Sequence, residues 1–275
     1  MFQPVIPLTG NSGWKFLEAT YDRQLESYSK SPQIRLDSEY LAEKLSEPIS
    51  VESFLDDKRL LRVALTAFDL GGEEWKRGFI DKVLEEVADP ESTFLARLNN
   101  SQYTAFAKAM NPVDGKISLS TATVSKMAEQ FEANSFKTAV GDVDDNMRIS
   151  LNYKSGIADI VGTGSSDSTI LYRILGDVPT RTLLEGATNL PSDISSLTLE
   201  RQSAILKERL QSVLGINDMS ELASPENVEK IILRFHAMSA ISENASTYSP
   251  ASAALTLLGN GLGSQGSQNL FLSLL

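Results

Sequence analysis

Cysteine is absent from the 275-residue chain, and histidine occurs once. Without sulfur there is no disulfide framework, thiol nucleophile, thiolate zinc site or iron–sulfur cluster. A single imidazole removes every metal site built on two histidines. It leaves a Ser-His-Asp triad only if His236 supplies the base. Positive charge is in short supply, because 25 basic residues against 36 acidic ones give a net charge of −11. That excess opposes sequence-independent binding to nucleic acid or anionic membranes, both of which depend on Lys and Arg. Long apolar runs are missing as well. The best window near the end, Ala251–Leu258, is far shorter than the ~20 residues of a membrane helix, so no membrane insertion is expected. The opening Met1–Trp14 has no positive n-region and carries Pro4 and Pro7 where an apolar h-region would lie. It does not read as a Sec signal.

What remains is 41% hydrophobic and falls at helical spacing. Trp14, Leu17, Tyr21, Leu25 and Tyr28 share one face of a first helix. Asp37 is placed to cap a second helix carrying Tyr40, Leu41 and Leu45, and Ser50 a third through Phe54 and Leu55. Asp56 or Asp57 opens a core helix, Leu60 to Phe68, stopped by Gly71-Gly72. The next helix runs from Trp75 to Val87, and Asp89-Pro90-Glu91 reads as a cap with proline at the first helical position. From Thr121 to Val161 the spacing predicts one long helix with a break near Gly141, although Met147, Ile149, Leu151 and Tyr153 alternate like a strand. Gly162–Ser168 is a linker, and further amphipathic helices span Leu199–Val213 and Pro225–Ile241.

The expected fold is all-α. Two helical clusters, 1–115 and 166–242, are joined by a long connecting helix at 116–165, with a flexible tail at 243–275, uncharged from Asn244 onward, that holds a short helix, Pro250–Leu258. Laying Asp57–Leu70 on Asp177–Leu190, an offset of 120, matches Asp57 with Asp177, Ala67 with Ala187 and Leu70 with Leu190. Asp89-Pro-Glu likewise resembles Ser224-Pro-Glu, with Arg97 and Arg234 following. A divergent internal repeat accounts for these matches, and so does the recurrence of cap residues in unrelated helices.

Each candidate for chemistry has a plainer explanation. Gly261-Leu-Gly263-Ser-Gln-Gly266 spells a dinucleotide motif but follows no strand, and Gly162-Thr-Gly164-Ser-Ser lacks the lysine of a phosphate loop. Asp142-Val-Asp144-Asp145-Asn146 resembles a calcium loop until Met147 and Tyr153 occupy the diagnostic Gly and Glu positions. His236 follows Phe235 on an apolar-patterned helix and reads as a packing residue. Ser27-Tyr-Ser-Lys30 fits SxxK without its companion motifs. Glu85-Glu86 and Asp56-Asp57 are neighbours on a helix, where carboxylates point apart. No catalytic, cofactor-binding or metal residue is therefore assigned, and no cofactor is expected.

The run Val51–Ser101, with its core Leu55-Asp-Asp-Lys-Arg-Leu-Leu-Arg-Val-Ala-Leu-Thr-Ala-Phe68 and Phe79-Ile-Asp-Lys-Val-Leu-Glu-Glu86, resembles the alphaproteobacterial domain-of-unknown-function family 1217. Trp14–Thr20, Met147–Val161, Ile174–Pro179, Leu190-Pro191 and Ile231–Phe235 resemble its other blocks, so the likeness spans most of Phe2–Met238. Asp69 stands where the family pattern "FGL" has Gly. The resemblance implies no activity and no catalytic residues, but such genes tend to lie among flagellar genes. The expectation is a non-enzymatic flagellum-associated protein acting through protein partners, either an assembly or export accessory or a minor structural component. It would be made in the cytoplasm and reach the flagellum by type III export. The alternatives are a cytoplasmic adaptor or regulator of flagellar genes, and an enzyme of unrecognised helical type with His236 or an acidic cluster as its reactive group. The apolar ending Leu270–Leu275 is the segment expected to order against a partner.

Overall fold

A computed structural model describes residues 3–87, 89, 91–98, 100–162 and 164–247. The expected tail beyond Thr247, with Pro250–Leu258, Gly261–Gly266 and Leu270–Leu275, lies outside the described residues. The chain folds as α1 (Gly10–Ser29), α2 (Pro32–Lys44), α3 (Val51–Asp56), α4 (Lys58–Ala67), α5 (Arg77–Val87), α6 (Phe94–Leu98) and α7 (Ser101–Met110). Then come α8 (Thr121–Gly141), α9 (Asp145–Val161), α10 (Asp167–Gly176), α11 (Val178–Thr188), α12 (Leu199–Arg209) and α13 (Pro225–Thr247). Among the described residues the only sheet is a ribbon in which Ile49-Ser50 pairs antiparallel with Lys116-Ile117. The protein is all-α, as expected.

Local chemistry sets the helix ends. Ser50, Asp57, Ser120, Ser166 and Asp177 each accept a backbone N–H of the first turn that has no partner within its helix. Asp37 is not a cap. Helix α2 starts instead at Pro32, whose preset φ suits the first helical position, and Asp37 is buried mid-helix between Arg59 and Arg62, at 2.7 Å from each. Trp75 does not belong to α5 either: it sits in a 3₁₀ turn, Glu74–Lys76, and is 79% exposed. Asp89 accepts the Glu91 N–H, but helix resumes only at Phe94, so the cap-and-proline reading there fails.

The expected long helix is a helical hairpin. The break falls at Asp142–Asp144, where Asp144 caps α9 by accepting from Asn146 and Met147. The strand-like alternation of Met147–Tyr153 arises because this stretch of α9 is buried on several sides, Ser150 included. Two apolar cores result. The first holds Leu41, Phe54, Leu60, Ile80, Phe106 and Phe131, and the second Phe136, Tyr153, Ile174, Leu184, Leu210 and Phe235. Helix α8 serves both, giving Phe131 to one and Phe136 to the other. Helix α1 departs from its expected place in the N-terminal cluster, since Trp14 and Leu17 pack into the second core.

The repeat signal has a structural counterpart at both ends of α4 and α11. Asp57 caps α4 through Leu60 N–H, and Asp177 caps α11 through Thr180 N–H, both at 3.0 Å. At the other ends, Leu70 N–H reaches Leu65 O and Leu190 N–H reaches Glu185 O, both at 2.9 Å. The residues between, Asp69 (φ 62°) and Asn189 (φ 53°), are left-handed, as this C-terminal cap requires. A side chain from a long helix then completes each terminus: Asn134 of α8 donates to Ala67 O, and Arg234 of α13 donates to Ala187 O. The second pair, Asp89 with Ser224, has no such counterpart, because Ser224 precedes a 23-residue helix and Asp89 a short one of 5 residues.

Candidate functional site

Where the two cores meet, a cleft of about 880 Å³ opens over the α8–α9 hairpin. Its floor is made by residues one turn apart on each helix, Gln130, Asn134 and Lys137 from α8 and Asn152, Gly156 and Asp159 from α9. The walls are the N-terminal turn of α7, with Ser101, Gln102 and Thr104, and that of α11, with Asp177, Pro179 and Thr180. Gln102 Nε2 donates to Asp177 Oδ2 across the mouth at 3.3 Å. Phe68, Leu95 and Ile160 add apolar surface.

Lys137 is the cation of the floor, and Asp159 its carboxylate. Burial pushes its ammonium below the usual lysine range, and the carboxylate of Asp69 opposes that shift in part. Its Nζ donates to Ser155 Oγ at 2.9 Å, and no ion pair within 4.0 Å is found for it among the described residues. Asn152 Oδ1, one turn before Ser155, is buried without a hydrogen-bond partner, which costs about 1–3 kcal/mol unless a donor reaches it. The Lys137–Ser155 contact has the composition of a Ser-Lys nucleophile. Ser155 instead gives its hydroxyl proton to Asn152 O at 3.2 Å from within α9, whose backbone N–H groups are spent on the helix.

His236 is 2% exposed, stacked on Trp14 at 5.9 Å between ring centroids. Its Nε2 lies 3.0 Å from Ser150 Oγ, and Ser150 donates its own proton to Asn146 O at 2.8 Å. The imidazole Nε2–H therefore donates to the hydroxyl oxygen. Burial lowers the His236 pKa from 6.5 to about 4, only weakly countered by Asp144, so the ring is neutral near pH 7. Ser150 is fully buried too, and the pair is closed to substrate.

The remaining sequence candidates are not brought together. Ser27 donates to Arg23 O at 2.9 Å, while Lys30 turns to Glu26. Glu86 pairs with Lys82, Asp56 with Arg77, and Asp57 with Tyr40. Asp145 holds Arg148. Gly162 and Gly164 adopt positive φ in the link to α10, and Arg173 folds back on Ile160 O and Ser165. Among the described residues no group of three or more acidic or histidine side chains is placed to hold a metal. Periodicity alone does not reveal the cleft, because its residues come from distant helices. The one trace is Gly156, a glycine inside an otherwise helical pattern.

A model of the family described as "Protein of unknown function (DUF1217)" matches residues 67–228, which include every floor residue of the cleft. A structural-genomics crystal structure of a protein from Agrobacterium tumefaciens superposes with a TM-score of 0.67 at 22% identity, over 87% of this chain and 99% of that one. That likeness is one of fold. No curated protein matches the chain.

Proposed function

The chain belongs to the DUF1217 family, and from that premise we propose that it is a non-enzymatic flagellar protein acting through protein contacts, as an assembly or export accessory or a minor structural component. The flagellar setting rests on the gene neighbourhood that the family resemblance implies. One observation favours contacts over catalysis. The only histidine, the side chain best suited to proton transfer near pH 7, is sealed in the second core as a neutral ring, while the large open cleft presents amides and hydroxyls among the cations Lys108, Lys137 and Arg173 and the carboxylates Asp69, Asp159 and Asp177. The net charge of −11 agrees with protein partners and against nucleic acid. Among the described residues no helix is long and apolar enough to cross a membrane.

Immunoblotting of cytosol, periplasm, purified hook–basal bodies and sheared filaments tests the proposal, with a strain lacking flagellar export as control. Export-dependent signal in the flagellar fractions is expected. Signal confined to the cytosol of both strains rules out a structural or exported role and moves the protein to an adaptor or regulator.

A further inference from the structure

Lys137 differs from the paired lysines of this chain. Lys15, Lys30, Lys82, Lys154 and Lys207 each hold a carboxylate, and Glu229 and Glu86 raise Lys15 and Lys82 above the usual lysine range. Lys137 has no carboxylate within 4.0 Å among the described residues, and burial lowers it, with Asp69 opposing in part. A larger share of free amine is therefore present near neutral pH than at an ordinary lysine. The one acceptor it meets is neutral. Ser155 has committed its proton to Asn152 O, so its oxygen accepts an N–H from Lys137 at 2.9 Å. In the neutral amine that hydrogen bond fixes the nitrogen and leaves its lone pair directed away from Ser155. Next in the chain, Gly156 has no side chain, and a Cβ built on it meets nothing within 4 Å, so the floor beside the amine is open.

A desolvated, unpaired amine in an open cleft can either hold an anion or add to a carbonyl. The cleft as a whole does not favour an anion, because Asp69, Asp159 and Asp177 offset Lys108, Lys137 and Arg173. The Arg173 guanidinium is also engaged already, by Ile160 O and Ser165 Oγ. Desolvation points the same way: it disfavours the ammonium and favours the nucleophile. The volume of about 880 Å³ lies within the roughly 300–1,000 Å³ of small-molecule sites. We infer that Lys137 is a carbonyl-capturing residue, whose Nζ forms a reversible imine with a neutral aldehyde or ketone that rests its apolar body on Phe68, Leu95 and Ile160. Nζ bonds to the carbonyl carbon while the C=O π pair moves to oxygen. One amine proton passes to that oxygen, giving a carbinolamine, and the hydroxyl then leaves with the second amine proton as water. The product is C=N, with no oxidant or reductant consumed, and addition of water reverses it. Capture of a small carbonyl compound goes beyond the protein-contact reading and is independent of it.

The test treats the full-length protein with limiting benzaldehyde, a neutral probe, or glyoxylate, an anionic one, in the presence of sodium cyanoborohydride. Peptide mass spectrometry then locates each secondary amine formed. Benzaldehyde is expected to modify Lys137 before any other lysine, ahead of the exposed Lys58 and Lys116. Lys137→Arg keeps the charge and a donor for Ser155 but cannot form the imine. It should lose the early adduct, with the other lysines modified as in wild type and the melting temperature little changed. Gly156→Leu keeps the amine and fills the space beside it, so modification of Lys137 should slow to the rate of Lys58. Gly156→Ala supplies a milder block if the leucine variant does not fold. Modification of Lys137 no faster than that of Lys58 and Lys116 overturns the inference, as does a Lys137 rate unchanged by both Gly156 substitutions. A Lys137-to-Lys58 ratio greater with glyoxylate than with benzaldehyde overturns it in favour of an anion site.

Discussion

Acid should destabilise the protein in a pH range where one identified side chain is responsible. His236 is the only histidine, and its imidazole is held neutral in the fold with a pKa of about 4 against 6.5 when unfolded. Between these values the unfolded chain binds a proton that the native state refuses, so stability rises with pH across this window and falls on acidification. At 1.36 kcal/mol per unit, the full span amounts to about 3 kcal/mol below pH 4, and roughly 2 kcal/mol is already lost at pH 5. Ordinary carboxylates contribute little above pH 5, because their unfolded pKa values lie near 4. The assay is urea unfolding of wild type and His236→Gln at half-unit steps from pH 7.5 to 4.5. The wild-type free energy should drop by about 2 kcal/mol between pH 7 and 5, and the variant, which keeps a donor for Ser150 but does not titrate, should stay nearly level. The lone imidazole C–H resonance gives an independent readout and should not shift until well below pH 6. Parallel curves for the two proteins, or a ring that titrates near 6.5, would refute the reasoning.

Other substitutions probe the scaffold. Asp69→Gly puts glycine at a φ of 62° and should stabilise by about 0.5–1 kcal/mol in thermal unfolding. Asn189→Gly, at 53°, should gain less because asparagine tolerates this region better. Gly186→Ala drives a Cβ against Phe235 and should cost about 1–3 kcal/mol by urea midpoint, whereas Gly156→Ala should gain about 0.5–1 kcal/mol. Asp37→Ala leaves Arg59 and Arg62 without their shared buried carboxylate and should lower stability by about 2–3 kcal/mol, discounted for the half-exposed arginines.

The helices were legible wherever a cap and an apolar stripe agreed. Ser50 and Asp57 show this, as does the Asp177 cap that repeats the Asp57 pattern. Reading failed where a polar residue had a distant partner. Asp37 resembled a cap because nothing in its own segment discloses Arg59 and Arg62, 22 and 25 residues away. Trp75 resembled the first residue of a helix because apolar spacing does not say which side of a turn a ring will take. The site was less accessible still. Asn152, Gly156 and Lys137 are unremarkable letters until α8 and α9 fold into a hairpin and α7 and α11 close over them. The Asp69 departure from the family pattern became intelligible only through its backbone angle, which explains the glycine expected there.

Helix α1 reaches across to α13, where Trp14 stacks on His236 and Lys15 pairs with Glu229. Synthesis proceeds at roughly 5–20 residues per second, so a growing chain presents the tryptophan face of α1 for tens of seconds before α13 emerges to cover it. During that interval the apolar face of α1 is sticky and the helix that covers it does not yet exist. Docking of α13 is the event that removes this face from view.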